Sequence, residues 1–409
     1  MTFVSLSTIF LLKTGWQFDT DGTLTSIPQL EPDKKIPAKS SVTSFPVHLA
    51  GDLLFTFLPT SIHGESFPKS LLPEEYYPFL NDSIESQTTY YSRELPYSFD
   101  FLVENFMDPA HVPFAHHSLQ GTRDDAMPID TKLLVNNHTH VELSFMDVTR
   151  GKARDGIMSF QRPFRYHFRI KDEETGIYKP MLIIYAIPVK AGKCRVIYND
   201  FKVPLPLPKF LIHLASNRFL NSDIWLHDTE RLLIQRKEEQ EKDDEAKKSK
   251  FGLNYLCPTQ SDQGVIAFRK WWSDYGFADS PPHTFSMATM DLLGPKSLTR
   301  REQIDPWEAH TKHCSSCREG LRLMKKGQNL CLVFALFCAV WGVIGGSASL
   351  SSNIASSAGI GRKVIKPVLS FMGASAAMFG RNIMKKLATA LEGNPYPGDI
   401  DDRSVAALK

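Results

Sequence analysis

The stretch from Glu104 to His117 reads Glu-Asn-Phe-Met-Asp-Pro-Ala-His-Val-Pro-Phe-Ala-His-His. It sets two imidazoles, His111 and His116, five residues apart, with Asn105 and Asp108 just upstream. Two imidazoles and one carboxylate leave half of an octahedral metal ion open to other ligands. The stretch therefore indicates a metal site with open positions, and it predicts a further carboxylate elsewhere in the chain.

Apolar residues at helical spacing precede the two histidines and predict a helix. Asn105, Asp108 and His111 lie three residues apart, so they would share one face of it. His116 would lie about 140° from His111 on an ideal helix of about 3.6 residues per turn, so a break is needed for the two rings to converge. Pro113 is expected to supply that break. The alternative is a helix end with solvent-facing histidines, but four polar side chains at these offsets favour the metal site.

Composition limits the possible functions. With 409 residues, of which 42% are hydrophobic, the chain can bury one large core or two moderate ones. Its 47 basic and 45 acidic residues nearly balance, so charge does not favour nucleic acid as a partner. Six scattered cysteines do not indicate a disulfide scaffold in a chain of this length. The apolar amino terminus has no basic leader and is not expected to be a signal peptide.

The chain divides into four predicted regions. Residues 1–81 are rich in Pro, Ser and Thr and predict a small β domain, with a strand at Gly15–Asp19 leading into a hairpin turn at Asp21-Gly22 and another β run at His48–Leu58. Residues 82–310 form the main domain. Residues 311–328 are a linker that contains Cys314 and Cys317. Residues 329–390 are the apolar end of the chain.

The main domain combines strands and helices. Alternating residues from 132 to 203 predict antiparallel strands, with a hairpin turn at Lys190–Lys193. Four aromatic residues lie at even spacing, so on one strand they would share a face and line a pocket, or pack in the core: Phe160, Phe164, Tyr166 and Phe168. A helix predicted over Leu211–Arg236 carries Asp223 and Asp228, and a shorter one covers Val265–Trp272. The charged run at 236–250 is typical of a solvated helix extension or loop.

The apolar end predicts membrane helices. Residues 329–350 are apolar or small and uncharged, which is long enough to span a bilayer core of about 30 Å at about 1.5 Å per residue. Residues 367–380 are shorter and predict a second span or an interfacial helix. Cys331 and Cys338 fall inside the first run, where packing is the expected role.

The spacing Asn105-x-x-Asp108-x-x-His111-x₄-His116 resembles the mononuclear-iron signature of Rieske-type oxygenases, and the wider text resembles their plastid branch, the pheophorbide a oxygenase family. Three further features support that branch: Gln260-Ser261-Asp262 leading to Phe268-Arg269-Lys270-Trp271, the pair Cys314-Ser315-Ser316-Cys317, and the terminal membrane hairpin. The resemblance covers residues from about 15 to 390.

The resemblance implies a role for each of these residues. His111 and His116 would ligate Fe(II), and Asp223 would be the third ligand, with Asp228 as runner-up. Asp108 matches the acid that links an iron-ligand histidine to the Rieske cluster of a neighbouring subunit, and Asn105 would lie close to the same site. Cys314 and Cys317 would be a dithiol open to thioredoxin-type exchange.

The resemblance also implies a fold and a function. The fold would be α+β: an antiparallel sheet with covering helices of the helix-grip type, the remnant of an amino-terminal β Rieske domain, and carboxy-terminal transmembrane helices. The protein would be a homotrimer in a chloroplast membrane, either the inner envelope or the thylakoid. It would oxygenate a chlorophyll-derived tetrapyrrole with O₂ and electrons from ferredoxin.

One departure from the family stands out. A Rieske [2Fe-2S] cluster takes two Cys and two His, which the family supplies as Cys-x-His and Cys-x-x-His pairs. This sequence contains neither pair, and Leu11 and Thr14 stand where the second pair would be. The preferred explanation is a truncated amino terminus, which would also remove a transit peptide from view. The competing hypothesis is a non-catalytic, redox-responsive membrane protein that uses Cys314 and Cys317.

The sequence leaves three interpretations of Cys314 and Cys317 open. His310 and His313 could complete a small zinc knuckle with Cys314 and Cys317. Alternatively, the pair is the exchangeable dithiol, or two exposed thiols without a role.

Overall fold

The structure is a computed structural model. It describes residues 9–11, 15–31, 33–37, 40–42, 47–50, 53–56, 90–148, 153–190, 192–199, 207–240, 256–275, 297–350 and 358–393. The chain separates into two compact units, one formed by the described residues up to 56 and one by those from 90 onward.

The first unit is built of short strands. Strands β1 (Ile9–Leu11), β2 (Trp16–Phe18) and β3 (Leu24–Ser26) form an antiparallel sheet in chain order. The hairpin turn predicted at Asp21-Gly22 is confirmed: Gly22 has a φ of 81°, and the Asp19 carboxylate accepts the Asp21 and Thr23 amides at 3.0 and 2.8 Å. The run predicted near His48 is a hairpin of two strands, β4 (Val47–Ala50) and β5 (Leu53–Thr56).

The second unit is organised around a seven-stranded antiparallel sheet in the order β6-β12-β11-β10-β9-β8-β7. The strands are β6 (Tyr90–Leu95), β7 (Asp130–Asn136), β8 (His140–Asp147), β9 (Arg154–Gln161), β10 (Arg165–Lys171), β11 (Tyr178–Lys190) and β12 (Lys193–Asn199). The predicted turn between β11 and β12 is confirmed by the Lys190–Lys193 pairing and a φ of 66° at Gly192.

The second unit also contains helices, some of which pack on one face of this sheet. They are α1 (Phe99–Phe106), α2 (Val112–Ala115), α3 (Lys209–Asn221), α4 (Trp225–Gln240), α5 (Gln263–Tyr275), α6 (Arg300–Gln303), α7 (Ser315–Leu350) and α8 (Ala358–Glu392). Along β8, Val141, Leu143 and Phe145 are buried while the residues between them are more exposed, as expected of a strand with one covered face. The predicted α+β fold with an antiparallel sheet and covering helices is therefore confirmed.

The four evenly spaced aromatic residues lie on a hairpin, not on one strand. Phe160 on β9 pairs with Tyr166 on β10, so the two share a face across the strands. Phe160 packs against Phe99 and Trp271 of the covering helices at ring distances of 6.2 and 4.8 Å. Both Phe160 and Tyr166 are buried, so they belong to the core and not to an open pocket.

Helices α1 and α5 are tied together by charge as well as by packing. The Arg269 guanidinium on α5 donates to the Asp100 carboxylate at 2.6 Å, and it also bonds the Glu104 carboxylate. All three groups are largely buried, where a paired charge is much less costly than a lone one. Gly264 brings the two helices close, because a Cβ at that position would overlap the Met107 carbonyl oxygen.

The last two helices form a long antiparallel hairpin. Glycines allow the close approach: a Cβ on Gly373 would lie 3.0 Å from the Cys338 sulfur, and one on Gly380 would lie 3.7 Å from the Cys331 sulfur. Cys331 and Cys338 are thus packing residues, as predicted. Among the described residues, one helix, α7, is long and apolar enough over Ser315–Ile344 to cross a membrane, with a mean hydropathy of 1.9.

The bounds of several predicted segments can be compared with the structure. The predicted linker 311–328 is mostly the first part of α7, and the predicted second span 367–380 is the middle of the longer α8. The charged run begins as the end of α4, which extends to Gln240, and residues 241–250 lie outside the described residues. The predicted helix over Leu211–Arg236 is two helices, because α3 ends at Asn221 and α4 begins at Trp225.

Candidate metal centre

Three predicted ligands, His111, His116 and Asp223, meet in the second unit and are called the His2Asp cluster below. Their candidate ligand atoms all lie within 4.8 Å of one another. The Nε2 atom of His116 is 3.5 Å from Oδ2 of Asp223, and the two imidazole rings are 5.2 Å apart. Asp228, the alternative third ligand, is not part of this cluster; its carboxylate instead accepts the side-chain amide of Gln303 at 3.3 Å.

The histidines converge because the chain leaves the helix at Asp108. The α1 helix ends at Phe106, and Asp108 has an extended backbone with φ −105° and ψ 99°. The residue before a proline is disfavoured in the helical region, so Pro109 sets this break. The predicted break at Pro113 is therefore wrong: Pro113 lies inside α2, near its start, where proline is tolerated. Asn105, Asp108 and His111 consequently do not share one helical face.

A break between α3 and α4 places the Asp223 carboxylate in the cluster. Asp223 lies in the turn between α3 and α4, where the Asp223 amide bonds the Leu220 carbonyl at 3.3 Å. The sequence Asn221-Ser222-Asp223 consists of residues that favour turns, and this was the signal for the break that the helix prediction missed. Helix α3 is held in place by the buried Arg93, which donates to the Asn217 carbonyl at 2.9 Å and the Asn221 side chain at 2.6 Å.

Hydrogen bonds orient both imidazoles. Nδ1 of His116 lies 2.7 Å from the Ser222 hydroxyl oxygen, and that hydroxyl donates to the Phe219 carbonyl at 2.5 Å. Because the hydroxyl proton is used on the carbonyl, the His116 ring must donate from Nδ1 and present the lone pair of Nε2 to Asp223. Nδ1 of His111 likewise bonds the Asp108 carbonyl oxygen. Partners of this kind on the second ring nitrogen are typical of metal-ligating histidines.

Burial sets the charge of the cluster. Burial, with a smaller contribution from His111, lowers the pKa of His116 to about 3, so its imidazole is neutral, as a metal ligand must be. Burial raises the pKa of Asp223 to about 6, opposed by His111 and the Asn105 amide. Oδ1 of Asp223 is buried and has no hydrogen-bond partner among the described residues. A buried carboxylate oxygen with no donor and two aimed imidazoles is a set that fits a divalent metal ion.

Asn105 and Asp108 lie beside the cluster. The Asn105 side-chain nitrogen is 3.5 Å from Nε2 of His111. The Asp108 carboxylate accepts the Ala110 amide at 2.8 Å and thus caps the turn Pro109–His111, so its contact with His111 is made through its backbone carbonyl. Burial raises the pKa of Asp108, which His111 and the Ala110 amide oppose. Sequence reasoning missed Ser222, and also Phe219, whose ring stacks on His116 at 3.8 Å.

The cysteine pair lies in a second group of potential metal ligands. Cys314 and Cys317 meet His310, one of the two histidines of the zinc-knuckle hypothesis, and also His213 of α3, which the sequence did not single out. His313 is exposed and is not part of this group. No disulfide joins the two cysteines, and Cys317 is fully buried. The contact with Cys317, reinforced by His213 and His310 and opposed by burial, lowers the pKa of the Cys314 thiol.

Comparison with known proteins agrees with the resemblance read from the iron motif. The sequence profile of the pheophorbide a oxygenase family matches residues 160–241. The chloroplastic pheophorbide a oxygenase of Oryza sativa subsp. japonica is 29% identical over 356 residues, which are 80% of this chain and 64% of that protein. The chain resembles the chloroplast Rieske-type oxygenases.

Two further proteins are similar to this chain. The chloroplastic flavonoid 8-hydroxylase 2 of Ocimum basilicum is 27% identical, with 80% of this chain and 64% of that protein covered. The crystal structure of dicamba monooxygenase bound to dicamba aligns with 64% of this chain and 78% of its own, at 13% identity and a TM-score of 0.43. The chain spans about two thirds of the length of the plant relatives it matches.

Proposed function

We propose that this protein is an iron-dependent oxygenase that acts on a chlorophyll-derived tetrapyrrole. The observation that carries the proposal is the His2Asp cluster, in which two imidazoles from one loop and a carboxylate from a distant turn present metal-binding atoms to one point. Bound at His111, His116 and Asp223, Fe(II) would supply a centre with open positions for O₂ and substrate. The similarity to pheophorbide a oxygenase supports the substrate class.

The residues of the chain have separate tasks in this proposal. His111 and His116 hold their protons on Nδ1 against the Asp108 carbonyl and the Ser222 hydroxyl, so that each Nε2 stays available. Asp223 supplies the negative charge that favours a divalent cation at a buried place. Asn105 has its amide beside the His111 ring and the Asp223 carboxylate, where it holds the two in position.

The electrons would come from ferredoxin. Inserting one atom of O₂ into a carbon framework and releasing the other as water takes two electrons and two protons. This sequence has no Cys-x-His or Cys-x-x-His pair, so the residues present do not fit a Rieske [2Fe-2S] cluster. The homotrimer, a thioredoxin partner and the location in a chloroplast membrane stay predictions.

The apolar hairpin supports a membrane location. Large side chains on α7 and α8 are exposed, among them Phe334, Trp341 and Phe371. Exposed apolar surface of this extent is typical of a surface that contacts lipid or a partner protein. An anchored enzyme would meet a water-insoluble tetrapyrrole at the surface in which that ligand is dissolved.

The proposal is tested with full-length protein in detergent, loaded anaerobically with Fe(II) and given pheophorbide a. One arm receives O₂ labelled with ¹⁸O and reduced ferredoxin; a second receives hydrogen peroxide, which brings both the oxygen and its oxidising equivalents. Mass spectrometry is expected to show oxygen incorporation in at least the peroxide arm. A flavone given in a parallel reaction tests a second substrate class, that of the related flavonoid 8-hydroxylase. His116→Ala is expected to abolish the product.

The matched control is His117→Ala, because His117 is the exposed neighbour and is not part of the cluster. Product formation that survives His116→Ala, or that is absent in both arms from protein with a full complement of iron, would contradict the proposal.

A further inference from the structure

A second cluster of ligand side chains, the Cys2His2 cluster, lies apart from the His2Asp cluster. It consists of His213 on α3, His310 in the π-helical turn Trp307–Thr311, Cys314 directly before α7, and Cys317 in its first turn. Two thiols and two imidazoles are the ligand set of structural zinc sites. We propose that these four residues bind one zinc ion, and that this ion fastens the start of helix α7 to helix α3.

The spacing of the four ligands fits a single tetrahedral ion. Ligands at about 2.3 Å for sulfur and about 2.0–2.1 Å for nitrogen around one zinc ion lie about 3.3–3.8 Å from each other. Nδ1 of His213 is 3.3 Å from the Cys317 sulfur and 3.4 Å from the Cys314 sulfur. Nε2 of His310 is 3.2 Å from Nδ1 of His213 and 3.3 Å from the Cys317 sulfur. The four groups are therefore already about as close together as a metal ion would draw them.

A hydrogen bond to strand β6 orients the His310 ring for metal binding. Its Nδ1 lies 2.6 Å from the Ser92 carbonyl oxygen of β6, which can only accept, so Nδ1 carries the proton and Nε2 directs a lone pair into the cluster. The Tyr91 ring stacks on the His310 ring at 4.5 Å and meets His213 edge-on at 5.3 Å. The ring that ligates is thus held by strand β6, which is remote from the cysteines in the sequence.

Burial favours zinc over a free dithiol. Cys317 has no exposed surface, and His213 and His310 are each only 4% exposed. Two thiolates and two neutral imidazoles make a zinc site with no net charge, which suits a buried place better than an uncompensated thiolate. An exchange partner would need to reach Cys317, and the surrounding helices cover it.

The same four residues do not suit a two-iron cluster. In a Rieske centre the cysteines hold one iron and the histidines the other, so sulfur and imidazole ligands belong to different ions. In this protein both sulfurs lie within 3.4 Å of an imidazole nitrogen, which is the arrangement around one ion.

A zinc ion at this place would join parts of the chain that lie about a hundred positions apart. His213 is on α3, and the carboxy-terminal end of α3 leads into the turn that carries Asp223. Cys314 lies directly before α7 and Cys317 in its first turn, and α7 is the helix long and apolar enough to cross a membrane. Near the same junction, Gly320 of α7 packs against the Phe210 ring of α3. The ion would therefore fix the start of the apolar hairpin to α3, within the unit that also contains the His2Asp cluster.

The test is metal analysis of the full chain, purified in detergent without chelators. We expect about one zinc per chain by plasma mass spectrometry, as for a closed four-ligand site. Replacement of zinc by Co²⁺ is expected to give the visible bands of a tetrahedral ion and a thiolate-to-cobalt charge-transfer band in the ultraviolet. Cys317→Ser is expected to lower the zinc content at least about tenfold and to remove the charge-transfer band.

Two matched variants complete the design. His313→Ala changes an exposed histidine beside the cluster and is expected to leave zinc in place, whereas His310→Ala is expected to lose it. His116→Ala is expected to lose iron and keep zinc, which separates this inference from the proposed function. Wild-type protein without zinc whose Cys314 and Cys317 are free thiols or a disulfide would overturn the proposal, as would a Co²⁺ spectrum without thiolate ligation or iron with acid-labile sulfide at these residues.

Discussion

The His2Asp and Cys2His2 clusters differ in the number of their ligands, their closure and the way the chain supplies them. The first has three ligands, delivered by breaks in helices at Asp108 and at Ser222–Ile224. The second has four ligands, two of them from the start of one helix, and its histidines are buried. Three ligands leave room for chemistry on a metal, whereas four fill a tetrahedral ion. The same chain thus contains a candidate reactive centre and a candidate structural one, with His213 of the second on α3 and Asp223 of the first in the turn after it.

The largest effect is expected for His116→Ala, which removes a ligand from the His2Asp cluster only. Iron bound by the purified protein is expected to fall by more than about tenfold, because two remaining ligands hold the ion poorly. Zinc content is expected to be unchanged. Paired iron and zinc determinations on wild type, His116→Ala and His117→Ala make this measurement, and a parallel loss of both metals in His116→Ala would show that the clusters are not independent.

The second-largest effect on iron binding is expected for Ser222→Ala, which leaves every ligand in place and removes the hydroxyl that orients His116. Loss of such a partner is expected to weaken iron binding by about 10- to 100-fold. The dissociation constant for Fe(II), measured anaerobically by competition with a chelator, gives this number. Ser216→Ala on the same helix is the control, because the Ser216 hydroxyl is buried without a hydrogen-bond partner among the described residues. Equal affinities for the two variants would refute the orienting role of Ser222.

Gly264→Ala tests whether the packing of α5 on the end of α1 supports the segment that carries His111 and His116. The added methyl group would overlap the Met107 carbonyl oxygen, next to the Asp108 break, so α1 and α5 must move apart. We expect a loss of about 1–3 kcal/mol in the free energy of unfolding, in spite of the higher helix propensity of alanine. Denaturant titration checks the value, with Ser273→Ala on the exposed side of α5 as control. Zinc content is expected to stay near that of wild type, since the Cys2His2 cluster does not involve α1 or α5.

The smallest effect concerns Glu230 on α4, whose carboxylate accepts the Ser98 amide at 2.9 Å and the Ser98 hydroxyl, just before α1. Burial and the nearby Asp100 raise the pKa of Glu230 to about 7, opposed by the bonds from Ser98. Since the folded protein holds this proton more tightly than the unfolded chain, stability falls as the pH rises from the unfolded value through about 7.

That dependence gives a measurable difference. Between about pH 6 and pH 8 the wild type is expected to lose about 1 kcal/mol more stability than Glu230→Gln. Denaturant titrations of both proteins at the two pH values measure it. A variant that loses as much stability as wild type over this range would show that Glu230 is not the titrating group, and a zinc content that changed with the variant would contradict the separation of the two clusters.

The three residues of the His2Asp cluster could be named from the sequence, because two of them share a short motif. His111 and His116 share one loop, and the metal chemistry called for a carboxylate that the family resemblance located at Asp223. Its local geometry was harder to predict. The helix break lies at Asp108 and not at Pro113, since proline constrains the residue before it but is accepted in the first turn of the next helix.

The Cys2His2 cluster shows what sequence spacing cannot supply. His313 lies nearer to the cysteines in the chain than His310 does, but only His310, in the π-helical turn Trp307–Thr311, faces them. His213 lies 97 residues before His310 and carries no local signal; packing of α3 against α7 brings it there. The aromatic residues of β9 and β10 are a similar case. Their even spacing did not show that they lie on two strands of a hairpin and pack in the core.

The assignment of iron is tested most simply by electron paramagnetic resonance of the full chain loaded with Fe(II) and exposed to nitric oxide, a probe for open positions on iron. We expect the signal of a high-spin iron–nitrosyl species, retained in Cys317→Ser and His117→Ala and lost in His116→Ala. A signal that persists in His116→Ala would contradict the assignment of iron to His111, His116 and Asp223.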